Sequence, residues 1–214
     1  MPRRKVILAN GEIYHIFSRS PRRIPIFTNK KEFDLFLAAT AYYLQTKPPV
    51  KFSRYKEQPN KYELDFSDPL VKITAYCLMS NHYHFILTQL KQKGITAYIH
   101  RLATSYSHFF NLKHQQKGPV FESKFKAVRV ETQEQLIHLS RYVHLNPVTS
   151  CLVEKPEEYN YSSYKNYLGT EQSHFVDPAD VMVDFSSPKI YEEFVLSRKN
   201  YQRELAVIKH LLLE

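Results

Sequence analysis

The stretch Val71–Thr88 reads VKITAYCLMSNHYHFILT. Val71–Met79 is a nearly continuous apolar run rich in β-branched and aromatic residues, the pattern of a strand in the middle of a sheet. Ser80-Asn81 interrupts it with two turn-forming residues. His82–Thr88 continues as a second strand. Two strands joined by two residues make an antiparallel hairpin, and the remaining elements can be placed around it.

Towards the N-terminus, Glu12–Arg19 (EIYHIFSR) predicts a first strand, closed by Ser20-Pro21. Asn29 and Glu32 have capping-box spacing. Phe33, Phe36, Leu37, Thr40, Ala41 and Leu44 then recur at helical intervals until Lys47-Pro48-Pro49. Residues 48–70 are polar, charged and proline-containing, and predict a long loop or hairpin excursion. Towards the C-terminus, Gly94 precedes a helix whose stripe is Ile95, Tyr98, Ile99, Leu102, Tyr106, Phe109 and Phe110. Val120–Val130 alternates as a fourth strand. Thr132 and Gln135 repeat the capping-box spacing and open a helix over Gln133–Leu145, ended by Asn146-Pro147. The order β-α-β-β-α-β-α predicts an α+β, ferredoxin-like or RRM-like split βαββαβ fold plus one helix. Its antiparallel sheet is expected to carry helices on one face and leave the other open. Residues 151–214 are aromatic and acidic, with a late helix expected over Pro188–Leu213. They read as an appendage on a body formed by residues 1–150.

Composition narrows the function. The chain has 214 residues, 2 cysteines and 4 glycines, and carries a net charge of +9. Gly11, Gly94, Gly118 and Gly169 are too dispersed for a Walker loop or a dinucleotide fingerprint. Cys77 and Cys151 make neither a disulfide framework nor a zinc ribbon, and Cys77 reads as a small core residue. No apolar run reaches the length of a membrane span, and Val6–Ala9 is too short for a signal peptide. No membrane association and a cytoplasmic location are expected. The charge is uneven. Residues 1–150 hold 23 Lys+Arg against 10 Asp+Glu, a net +13, whereas residues 151–214 hold 7 against 11, a net −4. A basic body with an acidic tail points to a polyanionic partner.

His82 and His84 lie two apart on a predicted strand, so both imidazoles share one face while Tyr83, Phe85 and Leu87 share the other. Two adjacent imidazoles can hold one divalent metal, although a bare His-x-His is common as ordinary strand sequence. A third ligand could come from the helix over Gln133–Leu145. Tyr142 and Asn146 are one turn apart on one of its faces, with His138 a turn earlier on the same stripe. Leu136, Leu139 and Val143 form a separate stripe suited to the core.

MSNHYHFIL (Met79–Leu87) resembles the HUH motif of the single-tyrosine transposases, and SRYVHLNPV (Ser140–Val148) resembles the tyrosine-helix motif of their REP-associated branch. YHIFSR (Tyr14–Arg19), GPVFESKFK (Gly118–Lys126) and YSSYKNYLG (Tyr161–Gly169) add to the resemblance, which runs in order from Gly11 to Gly169. The excursion at residues 48–70 departs from the family pattern. The resemblance implies that residues 1–150 are a catalytic domain acting on single-stranded or hairpin DNA, as monomer or homodimer. It implies His82 and His84 as metal ligands, Asn146 as the third ligand, and Tyr142 as the nucleophile that forms a 5′-phosphotyrosine link. Mg²⁺ or Mn²⁺ is the expected cofactor. The covalent link preserves the energy of the cleaved bond, so rejoining needs no ATP, in keeping with a chain lacking a phosphate-binding glycine loop.

Arg19, Arg22, Arg23, Lys124, Lys126, Arg129 and Arg141 are the candidate phosphate contacts. Lys124 and Lys126 are expected to alternate on one face of the fourth strand, and Arg129 and Arg141 to flank the tyrosine helix. The alternative reading is a non-catalytic RRM-like nucleic-acid-binding protein. Against it, Val120–Val130 lacks the aromatic signature of such sheets, since Phe121 and Phe125 stand among lysines rather than glycines. A third reading, hydrolysis by the histidine pair and water, leaves Tyr142 structural.

Overall fold

The computed structural model describes residues 6–122 and 124–198. Its principal strands are β1 (Ile13–Arg19), β2 (Val71–Met79), β3 (His82–Gln89) and β4 (Lys126–Val130). The longer helices are α1 (Lys30–Tyr42), α3 (Gly94–Lys113) and α4 (Gln133–Thr149). Shorter helices are α2 (Phe52–Glu57), α5 (Tyr164–Tyr167), α6 (Ala179–Met182) and α7 (Pro188–Leu196). The sheet order is β2-β3-β1-β4, and every adjacent pair is antiparallel. This is the predicted α+β split βαββαβ arrangement. The helix expected over Pro188–Leu213 is present as α7, and residues 199–214 lie outside the described residues.

Period two sorts the side chains. Tyr14, Ile16, Tyr83, Phe85 and Leu87 pack with Phe36, Tyr98, Leu102 and Tyr106 of α1 and α3 in the first core. The two capping pairs open their helices as the spacing predicts. Asn29 Oδ1 accepts from the Glu32 amide, and Thr132 Oγ1 from the Gln135 amide. The reciprocal bonds go one residue further back, to the amides of Thr28 and Glu131.

Glu32 does more than cap. Its side chain is fully buried and accepts from Lys113 Nζ and His114 Nε2 of α3, each at 2.7 Å. Burial alone would raise its pKa, but these bonds and those from Thr28 outweigh burial and hold it at about 2. Its contribution is therefore complete above the ordinary value of 4.5 and is lost as the pH falls towards 2. Glu32→Gln is expected to cost about 3 kcal/mol at pH 7 in a urea melt. The loss should shrink markedly in melts near pH 2, where about half of the wild-type Glu32 carboxyls are protonated.

Three expectations need correction. The second face of the sheet is not open: α4 and the segments after it cover β2 and β3. Ala75, Cys77, Met79 and Ile86 meet Leu136, Val143, Leu145 and Val148 of α4, with Tyr164, Tyr167, Tyr191 and Val195 closing the layer. The apolar run of Val71–Met79 reflects this covering of both faces. His144 is fully buried in that layer, bonded at 2.7 Å to Tyr191 Oη and at 2.8 Å to Ser163 Oγ, and Ser163 Oγ accepts from the Tyr76 amide of β2.

Second, β4 begins at Lys126 rather than Val120. Val120 and Phe121 leave the sheet to fill the first core. Lys124 therefore precedes the strand and does not alternate with Lys126 on it. Third, α4 runs through Pro147 to Thr149. Proline in a helix forfeits one hydrogen bond and typically costs about 3 kcal/mol, but Pro147 and Val148 are buried. The end is closed by Ser150 N on Asn146 O and Leu152 N on Pro147 O, with Cys151 in the left-handed region. Within the expected 48–70 excursion, α2 sends Phe52 into the first core and stacks Tyr55 on Tyr42.

Candidate active site

β3 places His82 and His84 on the sheet face that α4 crosses, and α4 brings Tyr142 above them. The Tyr142 ring stands edge-on to His84, with centroids 5.6 Å apart at 88°. His82 and His84 are 5.0 Å apart, also edge to face. At 42% exposure Tyr142 is open to an incoming group, whereas Tyr106 of α3 is fully buried in the first core. A cleft of about 530 Å³ is lined by His82, His84 and Tyr142 together with Phe17, Arg19, Arg23, Asn81, Glu122 and Lys126.

Burial pushes the His82 imidazole down to about 4, helped by the nearby Arg19 charge. It holds His84 well below the ordinary range, with the neighbouring His82 and His15 adding to the effect. Both rings are thus neutral at physiological pH, with a lone pair each, which is the state a metal ligand needs. The donor chemistry fits a divalent cation, although no group of three or more His, Cys, Asp or Glu gathers among the described residues.

Asn146 is 8% exposed, its Nδ2 reaches back to the Tyr142 carbonyl at 3.4 Å, and it is not among the residues lining the cleft. His138, the other member of the stripe, bonds Arg141 Nη2 at 2.8 Å and stacks on Phe194.

The basic residues divide. Arg19, Arg23 and Lys126 line the cleft. Arg19 pairs with Glu122 at 2.7 Å, and Lys126 Nζ sits 5.8 Å from the centroid of the Phe17 ring. Arg22 is exposed in the adjoining turn, where Arg22 and Arg23 both have φ of 58°. That strained conformation is held by Asn81 Nδ2 on the Arg23 carbonyl at 2.9 Å. The remaining three lie elsewhere. Lys124 lines a separate groove of about 910 Å³ against α3 on the other sheet face. Arg129 is paired with Glu12 at 2.8 Å. Arg141 stacks on Phe194 of α7 and donates to its carbonyl at 3.4 Å.

The cleft residues Phe17, Asn81 and Glu122, and His15 behind His84, escaped the sequence reading. Alternation in β1 puts His15 and Phe17 opposite Tyr14 and Ile16, so the pattern itself held the signal. His15 Nε2 lies 2.9 Å from His84 Nδ1, and burial lowers its pKa to about 4. Asn81 Oδ1 lies 2.6 Å from His82 Nδ1. Glu122 had no periodic signal, because the segment carrying it is not a strand.

The family "Transposase IS200 like" matches residues 65–146, a span that includes β2, β3 and α4 up to Asn146. No curated protein matches the chain. One similar solved structure is that of a REP-associated tyrosine transposase bound to a REP hairpin. It covers 83% of this chain and 98% of its own, with a TM-score of 0.56 and 12% identity. The resemblance carried by the histidine and tyrosine motifs is borne out: residues 65–146 match the IS200-like transposases, and the chain has the fold of a REP-associated tyrosine transposase.

Proposed function

We propose that this protein is a transposase that cleaves and rejoins single-stranded DNA, at hairpin-forming repeats, through a covalent tyrosine link. The observation that carries the reading is the Tyr142 ring standing over the His82–His84 pair in a cleft edged by Arg19, Arg23 and Lys126. The hairpin preference rests on the similar transposase solved with a hairpin. Residues 1–150 supply the chemistry in this reading, and residues 151–214 are an appendage that supports it.

The cations at the cleft hold phosphates flanking the scissile one, and Arg22, Lys124, Arg129 and Arg141 contribute less directly or not at all. The Tyr142 hydroxyl attacks phosphorus and gives up its proton. The bond from phosphorus to the 3′ oxygen breaks, and that oxygen takes a proton and leaves as a free 3′-OH. The 5′ phosphate stays on Tyr142, from which a 3′-OH can later displace it. His82 and His84, with Asn146 as the third ligand, would hold a divalent cation, Mg²⁺ or Mn²⁺. When bound, that ion neutralises a non-bridging oxygen and polarises phosphorus. The alternative of a non-catalytic RRM-like binder needs an accessible sheet face for stacking bases, and α4 with the segments after it occupies much of that face.

The test is incubation with end-labelled hairpin oligonucleotides in Mn²⁺ or EDTA, read on denaturing gels. Cleavage that requires Mn²⁺ and leaves a protein adduct on the 3′-side fragment is expected, with binding that weakens steeply as salt rises. Binding without cleavage in any metal supports the RRM-like alternative.

A further inference from the structure

The two cleft histidines are not held alike. His82 Nδ1 lies 2.6 Å from Asn81 Oδ1, an amide oxygen that can only accept. The His82 Nδ1 must therefore carry the proton. Asn81 is itself oriented, because its Nδ2 donates to the Arg23 carbonyl at 2.9 Å. His84 has no such fixed acceptor. Its Nδ1 lies 2.9 Å from His15 Nε2, and two imidazoles can share that bond in either sense. If His15 donates, the neutral His84 carries its proton on Nε2 and has no lone pair facing away from His15. If His15 accepts, its own proton lies on Nδ1 and His84 Nε2 is bare.

We propose that His15 and Asn81 are positioning residues that hold His84 and His82 as Nδ1–H tautomers, so that Nε2 of each ring is left to ligate the divalent cation. This rests on the metal role assigned to the pair above. Three features hold the two rings in this contact, and the acceptor sense for His15 is the one that leaves His84 Nε2 free for the cation. His15 is on β1 and His84 on β3, neighbouring strands whose register is fixed by backbone pairing, so their contact needs no mobile loop. The two rings are near-parallel, with centroids 5.1 Å apart, and Phe17 stacks beside them at 4.8 Å from His15 and 5.8 Å from His84. Tyr142 stands edge-on to both rings, so ring orientation also sets its position. Outer partners of this kind fix a ligand's tautomer and raise its basicity.

The experiment has two readouts besides activity. Long-range ¹H–¹⁵N spectra of the metal-free protein should show protonated Nδ1 and bare Nε2 at both His82 and His84. A protonated Nε2 at His84 overturns the assignment. Mn²⁺ affinity, measured by calorimetry, should then fall about 10–100-fold in His15→Phe and in Asn81→Ala. His15→Gln should stay within about threefold of wild type, because its amide oxygen can accept where Nε2 did. His15→Phe binding Mn²⁺ as tightly as wild type, with its melting temperature retained, overturns the positioning role alone. A wild type that binds no Mn²⁺ overturns the metal reading itself and this role with it. Should His15→Phe fold poorly, the gap between His15→Gln and His15→Leu in the folded fraction decides. A gap supports the role and equal affinities refute it.

Discussion

Tyr142→Phe is expected to bind hairpin DNA as wild type does and to cleave none of it. The substitution removes one oxygen and keeps the ring that stands edge-on to His84. Loss of a covalent nucleophile typically costs on the order of 10⁴-fold or more in turnover, because no other group takes over the bond-making step. The rival tyrosines cannot do so: Tyr14, Tyr83, Tyr98 and Tyr106 are fully buried in the first core, and Tyr164, Tyr167 and Tyr191 in the second. A denaturing gel with 5′- and 3′-labelled substrate in Mn²⁺ decides. An adduct that persists in Tyr142→Phe, or wild-type cleavage with no adduct, moves the chemistry away from this residue.

His82→Ala should lose cleavage by about 10²–10³-fold while DNA affinity stays within about twofold, since in the proposed reaction His82 serves the scissile phosphate through the cation and not the flanking ones. His82 is only half-buried and lies at the start of β3, so its removal should leave the far-UV spectrum unchanged. Raising Mn²⁺ to millimolar concentrations should restore part of the rate if the defect is one of metal affinity. A fully active His82→Ala protein removes the histidine pair from the mechanism.

The hairpin over residues 71–89 was legible because its pattern and its burial agree. An apolar run bounded by turn residues has few other ways to fold. The capping pairs at Asn29 and Thr132 were legible for the same reason, since the orphan amides of a helix start must find acceptors close by in sequence. The misses come where tertiary contacts override local pattern. Val120–Phe125 alternates like a strand, but Val120 and Phe121 gain more burial by filling the core beneath α3 than by extending the sheet edge. Pro147 reads as a stop, yet the burial of Pro147 and Val148 holds the helix for two more residues. In the site, spacing along one element put His82 and His84 on one strand face and Tyr142 on the stripe of α4 nearest them, and the family resemblance supplied their expected roles. His15 needed knowledge of which strand neighbours β3, and Asn146 needed its rotamer. Alternation gives the face His15 shares with Phe17, but neither its pairing with β3 nor the Asn146 rotamer is written in a one-dimensional pattern.

The bonds of His144 bear on the purpose of residues 151–198. A histidine two positions from Tyr142 is tied through Ser163 to the backbone of β2 and through Tyr191 to α7. The reach of Tyr142, the proposed nucleophile, is therefore set from behind, by side chains that come later in the chain and stand outside the cleft. A polypeptide stopped after Ser150 would contain every residue assigned a chemical role. It would also strip Tyr164, Tyr167, Tyr191 and Val195 from the layer that α4 shares with Cys77 and Met79, and leave His144 without its two hydrogen-bond partners, so that the tyrosine helix would rest on the sheet with its outer side unsupported. A cut at residue 150 would thus divide labour within a single folding unit: in the proposed reaction the N-terminal portion grips DNA, and the C-terminal portion aims the tyrosine.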